Sequence, residues 1–171
     1  MGKTDLDGAR AQLAAIARLD RMLEANGLAY WLFGGWAVDF HVGALTRAHG
    51  DIDVAVWSHD RERVAALLDE DAWRHAAEPG EDGYTCYERD AIRIDVAFLA
   101  RDESGRVYTP LRAGRGEWPR DSFGNDRLEL LGVRARVISL AALVAEKSVV
   151  HDDPQTIAKD RADLTALQRH K

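Results

Sequence analysis

Three aspartates stand out for the chemistry they could support. Asp51 and Asp53 stand one residue apart in DIDVAV, 51–56, and Asp95 lies in AIRIDVAFL, 91–99. In an extended strand, alternate residues share a face. Asp51 and Asp53 then point to one side, while Ile52, Val54 and Val56 point to the other. The second segment repeats the pattern, with Ile92, Ile94, Val96 and Phe98 on one face and Arg93, Asp95 and Ala97 on the opposite one. If the two strands are neighbours, three carboxylates converge on one patch of sheet. Like charges so placed raise one another's pKa values unless a cation relieves them. Hard oxygen donors of this kind suit Mg²⁺, which binds through a few carboxylates plus substrate phosphates. Ions held this way serve phosphoryl transfer. The alternative is a solvated strand edge with scattered acids, since D-x-D arises often by chance.

Gly34-Gly35 lies upstream, after the apolar run LAYWLF, 28–33. A turn without side chains lets phosphates approach backbone N–H groups, and a following helix N-terminus favours negative charge. The pair is neither a Walker A motif nor a dinucleotide fingerprint, and a tight turn needing positive φ explains it equally. Arg47 and His49 precede the acidic strand. Arg47 suits a forked contact to phosphate oxygens or a salt bridge to Asp39, Asp51 or Asp53. His49 suits an aspartate or phosphate partner, or an exposed turn. Lys147 suits phosphate, or a helix end. Asp160 and Arg161 read as helix-surface charges, with a cleft-lining role as the alternative. Trp31, Trp36 and Phe40 surround the glycine pair and read as core, with base stacking as the other reading. Trp118 is placed to wall a pocket. Cys86, the only cysteine, excludes an intrachain disulfide and fits a reducing compartment.

These residues must be held by elements that the patterning marks out. Leu13, Ile16, Leu19 and Leu23 recur at helical spacing and predict a helix over 8–25, stopped at Asn26-Gly27. Short strands are expected at 28–33 and 51–56. A short helix, WAVDFHV, lies between them and ends at Gly43. Ser58 or Asp60 is placed to cap a helix over 61–72. A turn-rich link, 78–83, precedes two strands, 84–89 and 91–99, joined through Arg89-Asp90 as a hairpin. Residues 101–126 read as loops with one short strand near VYT. LELLGVRARVI, 128–138, reads as two strands about Gly132. Helices are expected at 139–150 and 152–170, the second with Pro154 in its first turn. This is an α+β chain with a mixed β-sheet, flanking helices and a helical tail. It divides into a core over 1–138 and a helical extension over 139–171 packed on it.

The 171 residues suit one domain. The formal charge of −6 argues against a duplex nucleic acid partner, which draws a basic surface. It suits a cationic substrate electrostatically, with Glu88, Asp102, Glu103 and Glu117 as candidate lining acids. No apolar run approaches 18 residues, so no membrane span is expected. The N-terminus lacks an apolar signal core, and the expected location is cytoplasmic.

Together, GGWAVDFHVGALTRAHGDIDVAV and the later RIDVAF resemble the nucleotidyltransferase superfamily with the DNA polymerase β-like, palm-like core. Within it they resemble the aminoglycoside 2''-adenylyltransferase and lincosamide nucleotidyltransferase type. The resemblance implies that Gly34 and Gly35 hold the nucleotide triphosphate and that Asp51 and Asp53 bind Mg²⁺. Asp95 completes the metal site and acts as general base. Arg47 and His49 match the R-x-H segment of the aminoglycoside branch, and Lys147 matches a lysine that approaches the nucleotide. The implied reaction moves a nucleoside monophosphate from an NTP, with ATP the expected donor, to a hydroxyl of a small molecule such as an aminoglycoside or lincosamide antibiotic. The resemblance leaves room for a homodimer, since the C-terminal part is short for a complete acceptor pocket. Two other readings stay open: an antitoxin-like enzyme acting on protein or RNA, and an NTP-binding module without catalysis.

Overall fold

In the computed structural model, residues 3–76 and 83–169 are described. The link expected at 78–83 lies outside them except for Gly83. Helix α1, Lys3–Ala25, starts a turn and a half earlier than its apolar stripe predicts. It buries Leu13, Ile16, Leu19 and Leu23, the face its spacing dictates. Gly27, at φ +65, closes the helix with Leu28 N–H bonded back to Leu23 C=O, a left-handed stop that suits glycine. Strand β1 is only Tyr30–Leu32, and all three residues are buried.

The next helix, α2, is Gly34–Val42, so the two glycines form its first turn rather than preceding it. Gly43 in the left-handed conformation ends it, as expected. Strand β2, Ile52–Trp57, follows and leads through a short 3-10 turn into α3, Arg61–Glu70. Asp60 occupies the N-cap position of α3 without a side-chain cap bond, and instead pairs with Arg63. Strands β3, Arg74–Ala76, β4, Tyr84–Arg89, and β5, Ile92–Arg101, come next. The β4–β5 turn falls at Asp90-Ala91, one residue beyond the expected link. Both have positive φ, as tight hairpins require.

The segment read as loops holds the short strand expected near VYT, β6, Val107–Leu111, and an unexpected second strand that makes it a hairpin, β7, Gly114–Glu117. Strand β7 is GRGE, and its glycines hide it from propensity. Strands β8, Arg127–Leu130, and β9, Val133–Arg136, flank a Leu131-Gly132 turn with positive φ at both residues. Helix α4, Leu140–Lys147, is capped by Ser139, whose hydroxyl accepts from Ala142 N–H. Helix α5, Pro154–Arg169, closes the chain.

The main sheet runs β1-β2-β5-β4-β3, with β6 beside β5 and β7 beside β6. Only β2 and β5 pair in parallel among the described strands; the other pairings are antiparallel, so the sheet is mixed as expected. β2 and β5 are the centre, and Ile52, Val54, Val56, Ile94, Val96 and Phe98 are all buried there. Helix α2 packs against β2, α4 and α5. Trp31, Trp36 and Phe40 belong to the core. Trp36 Nε1 donates to Gln12 Oε1 at 3.0 Å and so ties α2 to α1.

Because Trp36 is 1% exposed, Trp36→Ala should cost about 3–5 kcal/mol of stability, read by urea unfolding. An unchanged midpoint would mean that α2 is not anchored through this ring.

Candidate functional site

The parallel pairing of β2 with β5 decides where the acids meet. Asp53 stands directly opposite Asp95 in the register, so their carboxylates share one face of adjacent strands. Asp51 lies at the start of the same alternation, just before β2. Asp53 is crowded by protein and holds its proton well above the ordinary carboxylate range. Burial is the largest cause, followed by the charges of Asp51, Glu146 and Asp95, with Lys147 opposing them. The convergence expected from sequence is therefore present. It includes a fourth carboxylate, Glu146, from the end of α4.

This crowding explains why both positions of the turn are glycine. At Gly34, φ is +62 and a Cβ would overlap the Asp53 carboxylate. At Gly35, a Cβ would lie 2.5 Å from His49 Nδ1 and 2.7 Å from Arg47 Nη2. A turn bare of side chains lets Asp53, Arg47 and His49 all close on the N-terminus of α2. There the Gly34 N–H donates to Glu146 Oε2 at 3.3 Å. That carboxylate sits where a helix N-terminus attracts anions. Burial pushes the Glu146 pKa up, and Lys147 and the Gly34 N–H pull it back.

The cations are anchored differently from the sequence expectation. Arg47 forms a forked pair with Asp163 of α5, Nε to Oδ1 at 2.9 Å and Nη2 to Oδ2 at 3.0 Å, rather than bridging to Asp39, Asp51 or Asp53. That bond raises the Arg47 pKa. His49 is not an exposed turn residue: its side chain is buried, its Nε2 lies 2.7 Å from Asp39 Oδ2, and its ring leans on Trp36. Asp39, buried within α2, also accepts from the N–H and hydroxyl of Thr46, which fixes the loop that carries Arg47 and His49. Lys147 lies 3.2 Å from Asp160, 3.4 Å from Asp163 and 3.6 Å from Glu146. Burial works against its charge, but the three acids outweigh burial and raise its pKa. Asp160 is thus a buried partner of Lys147 and not a surface charge, while Arg161 is exposed.

Glu146 and Asp163 carry no motif that marks them in the sequence. One signal was available for Asp163. Asp160, Asp163 and Leu167 share the inner stripe of α5 and are all buried, and an acid in an apolar stripe calls for a cation across from it.

A cavity of about 180 Å³ opens onto the acids, lined by Phe33, Asp53, Tyr84, Cys86, Arg93 and Asp95 among others. Arg93 Nε donates to Asp95 Oδ1 at 2.7 Å. Among the described residues, no three or more His, Cys, Asp or Glu side chains form a ready-made metal cage. The donor set nonetheless suits Mg²⁺: hard carboxylate oxygens, one of them crowded by like charges, beside an N–H-lined turn. Mg²⁺ needs only one or two such carboxylates when substrate phosphates supply the rest.

The family described as aminoglycoside-2''-adenylyltransferase matches residues 15–167. A 2''-aminoglycoside nucleotidyltransferase from Escherichia coli is 31% identical over 58 residues, and one from Klebsiella pneumoniae aligns equally. The aligned stretch is 34% of this chain and spans about a third of the length of those relatives, 33%. The crystal structure of ANT(2'')-Ia in complex with adenylyl-2''-tobramycin superposes with a TM-score of 0.71 at 22% identity, covering 92% of this chain and 90% of that one. Lincomycin-bound lincosamide antibiotic adenylyltransferase LnuA superposes with a TM-score of 0.67 at 18% identity, covering 100% and 99%. These likenesses establish the shared fold.

The raised proton affinity of Asp53 has a consequence for stability. The folded chain binds this proton more tightly than the unfolded chain, so stability falls as pH rises from the ordinary carboxylate range toward the folded value. In a chelating buffer, Asp53→Asn should therefore be more stable than the parent at neutral pH, with the gain vanishing near about pH 4. Thermal unfolding across that range reads it. A gain independent of pH would mean that the Asp53 proton is not its source.

Proposed function

The chain belongs to the aminoglycoside-2''-adenylyltransferase family, within the nucleotidyltransferase superfamily, and on that footing we propose that it transfers a nucleoside monophosphate from an NTP, with ATP the expected donor, to a hydroxyl of a small molecule. The observation that carries the reading is the register of Asp53 against Asp95 beside the bare turn at Gly34. It puts acids, backbone N–H groups and a cavity at one point, which is what phosphoryl transfer needs.

In this reading, Gly34 and Gly35 let the triphosphate approach the N-terminus of α2, where Glu146 now accepts the Gly34 N–H. Arg47 and Lys147, fixed by Asp163 and Asp160, stand near the same helix end as candidate hydrogen-bond donors to phosphate oxygens. Asp51 and Asp53, with Asp95, are the residues that would hold Mg²⁺, which supplies neutralisation of triphosphate charge and makes the acceptor hydroxyl more acidic. Asp95, oriented by Arg93, takes the hydroxyl proton as general base. The hydroxyl oxygen bonds to the α-phosphorus, the bond to the β-phosphate oxygen breaks, and pyrophosphate leaves. The relatives named above point to aminoglycosides and lincosamides as the acceptor class.

Pyrophosphate release with ATP, Mg²⁺ and a panel of both antibiotic classes tests this. Acceptor-stimulated release is expected, lost on chelation, with kcat lowered about 10²–10⁴-fold in Asp95→Asn. No stimulated release with either class, despite a folded protein, would overturn the reading.

A further inference from the structure

The ring of His49 has a partner at each nitrogen. Nε2 stands 2.7 Å from Asp39 Oδ2, and Nδ1 stands 3.1 Å from Arg47 Nη1. A guanidinium offers N–H donors and no acceptor. The contact at Nδ1 is therefore a hydrogen bond only when that nitrogen is bare and accepts from Arg47. The ring proton then sits on Nε2, which donates it to the Asp39 carboxylate. The ring is held in that orientation. It leans on Trp36 at 4.7 Å, and the His49 carbonyl accepts from Gln12 Nε2 at 3.1 Å.

Asp39 is fully buried in α2, and both of its oxygens accept. Oδ1 takes the Thr46 N–H at 3.0 Å and the Thr46 hydroxyl, while Oδ2 takes His49. Only a carboxylate can accept at both ends in this way. At the other end of the chain of contacts, Arg47 gives Nε–H and one Nη2 N–H to Asp163, and its Nη1 N–H groups to His49 Nδ1 and the Ala48 carbonyl. Among the described residues this leaves Arg47 a single N–H for a ligand, on Nη2. That nitrogen is the one 2.7 Å from where a Cβ on Gly35 would stand, against the first turn of α2.

We propose that Asp39 is a positioning residue for the nucleotide: by keeping the ring proton on His49 Nε2 it keeps Nδ1 bare to hold Arg47, whose remaining Nη2 N–H then serves a phosphate oxygen at the first turn of α2. The proposal rests on the transfer reading and adds to it a residue that acts through two others. His49 accordingly meets Arg47 and not the phosphate. Asp39→Asn separates this role from packing. The Thr46 N–H can only donate, so the amide oxygen turns to Thr46 and the NH₂ group faces His49. Nε2 must then accept, the ring proton moves to Nδ1, and two donors confront each other at Arg47.

Histidine ¹⁵N spectra of the full chain at neutral pH read the tautomer, with the His49 signals assigned by their loss in His49→Asn. A bare Nδ1 and a protonated Nε2 are expected in the parent, and the reverse in Asp39→Asn. Calorimetry with Mg²⁺ and a non-hydrolysable ATP analogue should show binding about 10-fold weaker in Asp39→Asn, with no further loss when that change is added to Arg47→Ala. His49→Asn, whose amide oxygen can replace Nδ1, should keep more affinity than His49→Gln, which reaches only Asp39. The parent spectrum and the two His49 variants decide the matter even where Asp39→Asn does not fold. A protonated Nδ1 in the parent, additive losses from Asp39→Asn and Arg47→Ala, or equal losses in the two His49 variants would overturn the proposal. The tautomer and the binding need no chemistry. Both as expected, without pyrophosphate release, would defeat the transfer reading and leave the role of Asp39 standing.

Discussion

The Asp53 carboxylate lies where a side chain on Gly34 would stand. That close approach governs the rest of the site. It requires glycine at the first residue of α2, with positive φ, because any Cβ there would collide with the acid. It sets the N-terminus of a helix against the face of the central strand pair. It also places an acid among acids: Asp51 before it, Asp95 beside it and Glu146 above the same turn. A folded protein that only needed stability would have little reason to keep such an arrangement, since like charges in a crowded place oppose folding. It suits a cation and the phosphates that accompany one.

The C-terminal helices are part of this construction. Asp163 reaches across from α5 to fork Arg47, and the same carboxylate meets Lys147 from α4. Two cations and two helices are joined through one buried acid. Asp39 of α2 likewise holds His49 of the loop between α2 and β2. Each of these side chains near the turn is thus held by a carboxylate behind it, so that its position does not depend on a ligand. Removing one partner of such a set leaves the other charge unmatched, which is why the set acts as a unit.

Much of this was legible in the sequence where local periodicity was strong. The alternation in DIDVAV and IRIDVAF placed the aspartates on one face each, and the parallel register of β2 with β5 then brought Asp53 opposite Asp95. The leucine stripe of α1 and the Gly43 stop of α2 were equally plain. Strand β7 was hidden, because GRGE has neither β-branched residues nor alternation and is a strand only through its pairing with β6. Arg47, His49, Lys147 and Asp160 were visible as residue types. The partner of His49 is 10 positions away and that of Arg47 is 116 away, and no local pattern encodes such pairings. Glu146 became part of the site only when α4 was packed against the glycine turn. Among the acids expected to line a cationic pocket, Asp102 and Glu117 pair with Arg106 and Arg115.

If Asp53 and its neighbours form a cation site completed by nucleotide phosphates, a metal ion and a nucleotide must bind there cooperatively. Electron paramagnetic resonance of Mn²⁺, titrated into the protein with and without a non-hydrolysable ATP analogue, reads that coupling directly. The analogue should tighten Mn²⁺ binding, and Asp53→Asn should abolish the tightening while the protein remains folded. Mn²⁺ binding that is indifferent to the analogue, or unchanged by Asp53→Asn, would mean that these acids are not the cation site.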